Sequence, residues 1–180
     1  MSLFLIKMSL LSLPLVIGGI IHMLVVKKDI LSFFKKPINV KWFGQNKTWR
    51  GFLVMPLATW PGVLISQNLE RLINPEEPLL LGITSWWPAL ALGWGYCLAE
   101  LPNSFLKRKL GIKEGQTSEH HKWFFIILDQ ADSVFGCLVV YKLIIILPWN
   151  LFWGTFCFGT FVHLFINNLL YLIKIRKNPF

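Results

Sequence analysis

The stretch that decides the fold is ELPNSFLKRKLGIKEGQTSEHHKWFFIILDQADSVFG, residues 100–136, in which a basic polar loop runs into an apolar segment. The apolar segment carries two aspartates, Asp129 and Asp132, three residues apart. If the run after Trp123 is helical, this spacing places both carboxylates on one helix face, with their Cβ atoms roughly 5–6 Å apart. Ionisable groups inside a membrane-length apolar segment are costly and usually functional. The stretch therefore predicts a functional acid pair at membrane depth.

The acid pair predicts a bound divalent cation. Two like charges repel each other, so a buried pair either changes its protonation or recruits a cation. Hard cations such as Mg²⁺ take carboxylate oxygens together with substrate phosphates. We therefore predict Asp129 and Asp132 as Mg²⁺ ligands. Gly136 lies on the same face and leaves room for a ligand or for a neighbouring helix, and the sequence does not decide between the two.

The loop before the pair is predicted to contain a short basic helix. Glu100 closes an apolar segment, and Pro102 disfavours helix at the residue before it. Ser104 is a plausible N-cap for a helix over Phe105–Leu110, which Gly111 would stop. The amides at the start of such a helix can accept an anion.

Positive charge on this loop predicts phosphate binding. Lys107 and Arg108 lie on the short helix, and Lys113 and Gly115 follow in a segment with the donors and flexibility of a phosphate loop. The alternative is a loop whose cations only fix membrane topology, because cytoplasmic loops are generally rich in lysine and arginine.

A second basic segment precedes the second apolar run. Lys47 and Arg50 share a helix face if the helix has already begun there. We predict that both reach the same cytoplasmic cavity as the loop cations. The alternative is that they anchor the helix at the membrane edge with their charged ends in water.

Composition makes the chain an all-α integral membrane protein with one domain, residues 1–180. It is 54% hydrophobic and 15% charged and contains nine tryptophans, which is too apolar for a soluble domain of 180 residues. Spanning a membrane takes about 20 apolar residues. The five predicted spans are Met8–Val26, Gly51–Leu69, Leu79–Ala99, Phe124–Leu147 and Leu151–Ile173.

Lysine and arginine are concentrated in alternate connections. Segment 27–50 has seven of them, 100–123 has five and 174–180 has three. The positive-inside rule then places the amino terminus outside and the carboxyl terminus in the cytoplasm of a multi-pass cell-membrane protein. The net charge of +9 favours membrane lipid headgroups and nucleotide phosphates. No nucleic-acid motif is present, and the oligomeric state, including a homo-oligomer, stays open.

The chain contains three motifs: Asn46-Lys47-Thr48-Trp49-Arg50-Gly51, Ser104-Phe105-Leu106-Lys107-Arg108 with Gly111 and Gly115, and Asp129-Gln130-Ala131-Asp132 with Gly136. These motifs resemble those of the CDP-archaeol synthase family, which is related to phosphatidate cytidylyltransferases. The chain has Glu100 where that family typically has an aspartate, and Gln45-Asn46 where archaeal members tend to have Asp-Gly.

The resemblance implies a five-helix membrane enzyme that uses CTP and Mg²⁺. Such an enzyme converts a phosphorylated lipid, archaeol-phosphate-like or phosphatidate-like, into its CDP-activated form and releases pyrophosphate. In this chain we expect Glu100 to join the two aspartates as a metal ligand. We expect the loop cations, including Lys113, to hold the triphosphate, while Lys47 and Arg50 hold CTP or the lipid phosphate. Ser104 would supply a hydroxyl or a cap.

Two other functions remain open at this point. A cation- or proton-coupled transporter would also carry acids inside a helix bundle. The density of phosphate-type donors beside the acids and the lack of a repeated half disfavour it. A catalytically inert membrane scaffold is the third possibility, supported by the glutamate at position 100.

Overall fold

The structure is a computed structural model that describes residues 3–73, 76, 78–114, 116 and 122–176. Within these residues the chain is helical, and its only β-type pairing is one isolated antiparallel bridge. A 3₁₀ turn covers Ser32–Phe34. The α-helices are α1 Leu3–Lys27, α2 Val40–Phe43, α3 Trp49–Ile73, α4 Trp86–Lys109, α5 Lys122–Ile144 and α6 Trp149–Leu172.

The five long helices pack side by side in a closed ring. Each packs mainly against two neighbours, in the cyclic order α1, α3, α4, α5 and α6, and α1 also touches α4. In the described chain, α1, α3, α5 and α6 are long and apolar enough to cross a membrane, and α4 is of similar length but less apolar. Large apolar side chains such as Phe161 and Leu143 are exposed on the outside of the ring. The protein is therefore an all-helical, multi-pass membrane protein, as its composition predicts.

Small residues set the closest helix contacts. A side chain at Gly93 would meet the backbone of Pro56, so α3 and α4 touch through their main chains there. A side chain at Gly136 would meet Ala99 and the carbonyl of Gly95, which brings α5 against α4. Close approach through small residues is typical of membrane helices. Of the two possibilities open for Gly136, the structure therefore supports helix packing.

Helix α3 is continuous, although Pro56 and Pro61 indicate a kink or a break. Proline lacks an N–H, so Pro56 leaves the carbonyl of Phe52 without its usual helical partner. The indole Nε1 of Trp94 on α4 donates to that carbonyl at 3.3 Å. A neighbouring helix thus satisfies the group that Pro56 frees, as membrane helices require.

Helix α4 corrects the prediction for the loop before the acid pair. It starts at Trp86, later than the predicted span at Leu79, and runs through Pro102 to Lys109. The separate helix over Phe105–Leu110 and the N-cap at Ser104 are therefore wrong, because packing against α3 and α5 outweighs the local preference of proline. The predicted stop is confirmed, since Gly111 has a φ of +74° just after the helix.

The continuity of α4 aligns three polar side chains. Glu100, Asn103 and Lys107 are spaced by three and four residues, which puts them on one stripe of an α-helix. A break at Pro102 would have left Glu100 on a different element from Lys107. The single helix instead carries an acid, an amide and a cation on one side, where Asn103 and Lys107 contact α5 and Glu100 contacts Lys47.

The segment before α3 is held by backbone pairing. The amide of Ile38 donates to the carbonyl of Lys47 at 2.9 Å, and the amide of Trp49 donates to the carbonyl of Lys36 at 3.0 Å. This pairing fixes the turn that carries Lys47 at the start of α3. It is a contact between positions about ten residues apart that the sequence pattern did not predict.

At the far end of α3 a buried acid has a structural role. Glu70 is 1% exposed, and its carboxylate accepts backbone N–H groups of Leu79 at 2.6 Å, Leu80 at 2.8 Å and Leu81 at 2.9 Å. These bonds fasten the connection between α3 and α4 to the helix end.

Candidate active site

A cavity of about 210 Å³ lies where the end of α4, the start of α5 and the turn before α3 meet. It collects seven of the residues predicted for the site: Lys47, Glu100, Ser104, Lys107, Arg108, Asp129 and Asp132. The remaining lining residues are Phe43, Asn46, Asn103, Glu114, Gln116 and Arg176. Acids and cations from separate segments thus share one space.

The two aspartates converge on a single atom. The Nδ2 of Asn103 donates to Asp129 Oδ1 at 2.7 Å and to Asp132 Oδ2 at 2.8 Å. The other oxygen of Asp132 accepts the amide of Ser133 at 2.6 Å. One oxygen of each carboxylate therefore points at the same small volume, as the spacing of three residues predicts.

Two of the acids, Asp129 and Glu100, each have a lysine partner. Lys107 Nζ donates to Asp129 Oδ1 at 2.6 Å and also contacts Oδ2, and its ammonium lies 5.5 Å from the ring centre of Phe125. Lys47 Nζ donates to Glu100 Oε2 at 2.6 Å. Burial alone would lower the pKa of Lys47, but the Glu100 carboxylate outweighs it and the pKa of Lys47 is raised.

The donor set fits a hard cation. Among the described residues no group of three or more His, Cys, Asp and Glu side chains meets at metal-binding distance. Mg²⁺ commonly uses one or two carboxylates and completes its shell with water and substrate phosphates, so two converging aspartates suffice. The Oδ1 of Asn103 is buried without a hydrogen-bond partner in the described chain. Rotation of this amide would turn an oxygen, rather than a nitrogen, toward the point where the carboxylates converge.

The rim of the cavity joins the end of α4 to the turn before α3. Glu114 Oε1 accepts the amide of Gln45 at 3.2 Å and lies 3.9 Å from Arg108 Nη1. Hydrogen bonds from its own backbone amide and from that of Gln45 lower the pKa of Glu114. Gly44 has a φ of +81°, and a Cβ there would lie 2.6 Å from Glu114 Cγ. The positive φ favours glycine at this position, and a larger residue would also have to displace the Glu114 side chain.

Two of the predicted residues, Arg50 and Lys113, lie away from the lining of the cavity. Arg50 does not line the cavity, because its Nη1 donates to Asp29 Oδ1 at 2.8 Å and its side chain is buried against the segment after α1. The expectation that Arg50 reaches the cavity is therefore wrong. Lys113 is exposed and is not among the lining residues. Gly115 lies outside the described residues.

Sequence reasoning missed two functional candidates, Asn103 and Arg176. Asn103 lies at helical spacing from both Glu100 and Lys107, which would have identified it. It was missed because Pro102 was interpreted as the end of a helix. Arg176 was counted only as one of the cations that set topology. Its approach to the acid pair depends on how the end of α6 packs, which no local pattern reveals.

A second polar cluster supports the helix behind the acids. Asn167 Nδ2 on α6 donates to Gln130 Oε1, and His163 Nδ1 lies 3.2 Å from the carbonyl of Gln130. Gln130 and Asn167 are both buried. His163 and Asn167 therefore take part in contacts between α6 and α5. The cluster fixes the rotation of α5 and hence the direction of both aspartates.

The fold and the cavity define a class of protein: an all-helical membrane protein in which acids and cations meet at one end of the bundle. The family model "CarS-like: CDP-archaeol synthase" matches residues 2–180. The chain belongs to this family, which confirms the resemblance seen in its motifs.

Individual relatives agree with the family model. The CDP-archaeol synthase of Staphylothermus marinus is 27% identical over 145 residues, which cover 74% of this chain and 69% of the relative. That of Saccharolobus islandicus is 28% identical over 142 residues, covering 76% and 72%. That of Methanothermobacter thermautotrophicus is 32% identical over 85 residues, covering 47% and 46%. No solved structure matches the chain.

Proposed function

We propose that this protein is a CTP-dependent cytidylyltransferase that converts a lipid phosphate, archaeol phosphate or a phosphatidate-like lipid, into its CDP-activated form. Membership of the CDP-archaeol synthase family supports this activity. The observation that carries it is the cavity itself, in which two aspartates converge beside lysines and arginines from separate segments.

The proposed reaction needs positioning more than covalent help. A phosphate oxygen of the lipid forms a bond to the α-phosphorus of CTP. The bond from that phosphorus to the oxygen bridging to the β-phosphate breaks, and its electron pair leaves with pyrophosphate. Protein groups contribute by aligning the two phosphates and neutralising their charge, so no nucleophilic side chain is required.

The cations of the cavity are proposed to bind the phosphates. Arg108 lies at the rim, where its guanidinium suits a paired contact with phosphate oxygens, and its Nε is buried without a partner in the described chain. Lys107 lies deeper, against Asp129. Phosphate oxygens would compete with Asp129 for this ammonium, so nucleotide binding would release carboxylate oxygens of Asp129. Ser104 is proposed to add a hydroxyl donor from the same wall.

The acids are proposed to hold Mg²⁺. Asp129 and Asp132 are the ligands best supported, because their oxygens already converge. Glu100 is a third candidate that is also engaged by Lys47. Mg²⁺ at this point would neutralise charge on the α-phosphate and on the departing pyrophosphate.

We also propose that all five long helices cross the cell membrane, with the amino terminus outside and the cavity on the cytoplasmic side. The distribution of lysine and arginine supports this orientation. A cysteine introduced at the exposed Leu110, just after α4, should react with an impermeant thiol reagent only from the cytoplasmic side. Labelling from outside intact cells would reverse the orientation.

The direct test uses labelled CTP. Purified protein in proteoliposomes, with Mg²⁺, is given archaeol phosphate, phosphatidate or uncharged archaeol, and labelled lipid and pyrophosphate are measured. We expect both products with a lipid phosphate and neither with uncharged archaeol. Equal turnover with ATP would contradict the choice of CTP. No nucleotide transfer to any lipid phosphate, with ion uptake in the absence of nucleotide, would contradict the enzyme and favour a transporter.

A further inference from the structure

Arg176 lies just beyond the end of α6. The chain reverses there: Lys174 has a φ of +59°, and the amides of Ile175 and Arg176 donate to the carbonyl of Leu170 at 2.8 and 3.0 Å. A left-handed residue followed by amides folded back on the last turn is a common way to end a helix, though glycine is the usual choice. The reversal directs Arg176 back toward the bundle.

Arg176 lies between two concave surfaces. On one side it lines the cavity of the acid pair. On the other side it lines a depression of about 430 Å³ at the end of α6, together with Tyr171, Leu172 and Lys174. Among the described residues it is the one common to the lining of both. The depression therefore adjoins the cavity of the acid pair at Arg176.

The depression has the chemistry of a site for a lipid headgroup. Leu172 is 72% exposed and Tyr171 is also exposed, so apolar surface lies next to the cations Lys174 and Arg176 at the membrane edge of α6. Exposed apolar side chains at the end of a membrane helix contact lipid. A phosphorylated lipid would meet apolar surface and positive charge here together. The other end of the cavity, around Arg108 and Glu114, is polar and suits a nucleotide instead.

The electrostatic surroundings of Arg176 favour the binding of an anion to this residue, close to the acid pair. Burial lowers the pKa of Arg176, and the opposing influence of Tyr96, Asp129 and Glu100 does not cancel this effect. Arginine keeps its charge in proteins, so a partly buried guanidinium gains from a phosphate partner. In the described chain no carboxylate lies within salt-bridge distance of Arg176, whereas Lys47 and Lys107 each have one.

We propose that Arg176 binds the phosphate of the lipid substrate, which enters the cavity beside the end of α6. The nucleotide then occupies the Arg108 side, and the two phosphates meet at the aspartates. This inference rests on the proposed function for the identity of the lipid, and it adds the entry side and a phosphate ligand that lies outside the three motifs.

The test compares Arg176→Gln with the wild type in three measurements. Binding of archaeol phosphate and of uncharged archaeol is measured by native mass spectrometry in detergent, without CTP. Binding of CTP with Mg²⁺ is measured by calorimetry without lipid. The Michaelis constants for both substrates are measured in the transfer assay. Arg71→Gln is the matched control, because it removes the same group from the last turn of α3, roughly 35 Å along the helix from the cavity end.

We expect the wild type to prefer archaeol phosphate over archaeol, and Arg176→Gln to lose that preference. The Michaelis constant for the lipid phosphate should rise roughly 10- to 100-fold, the range for loss of a charge-assisted hydrogen bond, with CTP binding within about twofold of wild type. Arg176→Lys should recover part of the effect, since it keeps the charge without the planar fork. Arg71→Gln should match the wild type.

Three outcomes would overturn the inference: no preference for the phosphorylated lipid in the wild type, a preference retained in Arg176→Gln, or loss of CTP binding alone. The last would assign Arg176 to the nucleotide. A phosphate preference that depends on Arg176, in a wild-type protein that makes no CDP-lipid, would leave this inference standing while the proposed function fails.

Discussion

The two ends of the bundle each contain shielded carboxylates, but their partners differ. At one end Glu70 is almost fully buried, and three backbone N–H groups of residues 79–81 satisfy its oxygens. At the other end Asp129 and Asp132 face a cavity and bond to side chains, the amide of Asn103 and the ammonium of Lys107. Backbone donors cannot move without refolding the connection, whereas side-chain donors can exchange for a ligand.

This difference distinguishes an acid with a structural role, Glu70, from acids that are available to a ligand, Asp129 and Asp132. Hydrogen bonds to a charged group contribute about 1.5–3 kcal/mol, and leaving such partners unpaired costs a similar amount. Glu70 therefore stabilises the fold. The aspartates instead bond to side chains that a phosphate or a cation could displace, as the proposed function requires. If the acids were ranked by burial alone, Glu70 would look more unusual than Asp129 or Asp132.

The largest expected effect on stability is at Glu70. Glu70→Ala removes the acceptor of three amide bonds, so we expect a loss of about 3 kcal/mol or more in the free energy of unfolding. Activity per folded molecule should stay within about twofold of wild type, because the residue is remote from the cavity. Thermal unfolding of the detergent-solubilised protein, with the transfer assay on the folded fraction, measures both. A stable but inactive variant would contradict the structural role.

A smaller effect is expected at the Lys47–Glu100 pair, whose side chains are 25% and 22% exposed. Lys47→Met or Glu100→Gln should each destabilise the protein by about 1–2 kcal/mol, and the double variant by less than their sum. Mg²⁺ affinity separates the two roles of Glu100. If Glu100 is a metal ligand, Glu100→Gln weakens Mg²⁺ binding and Lys47→Met does not. Equal Mg²⁺ affinity in wild type and Glu100→Gln would limit Glu100 to its ion pair.

The smallest effect is expected at Asp29, an exposed carboxylate. Its hydrogen bond from Arg50, and then that from Lys35, lower the pKa of Asp29 below its ordinary value of 3.8. A lowered carboxyl pKa stabilises the fold above the ordinary value and loses this contribution as the pH falls through the folded-state pKa. Asp29→Asn should therefore lower the melting temperature slightly at pH 7, and the difference should shrink below pH 3.8. A difference that grows with acid would contradict the pairing with Arg50.

The sequence predicts the parts of the site that depend on residues close together in the chain better than the parts that depend on distant residues. The spacing of Asp129 and Asp132 is a property of one helix, and their convergence follows from it. The cations Lys107 and Arg108 come from the same polar stretch and were also identified. Local rules failed where packing outweighs them: Pro102 does not break α4, so the helix stripe that includes Asn103 was overlooked.

Long-range contacts account for the other differences. Arg50 pairs with Asp29, 21 positions earlier, and the reversal after α6 brings Arg176 back to the acids. Nothing in a window of ten residues distinguishes Arg50 from Lys47, although one is buried in an ion pair and the other lines the cavity. The sequence therefore predicts the type of chemistry better than it predicts which cations take part.

The central claim is that the acid pair at the cavity, unlike Glu70, serves catalysis and not stability. Asp129→Asn keeps the shape of the side chain and removes its charge, so the most direct measurement is turnover per folded molecule across a Mg²⁺ titration, with Glu70→Gln alongside. We predict that the turnover of Asp129→Asn falls by at least about 100-fold, roughly 2.7 kcal/mol of transition-state stabilisation, while the bundle stays folded. Glu70→Gln should show the reverse. Wild-type turnover by Asp129→Asn at ordinary Mg²⁺ would contradict the account.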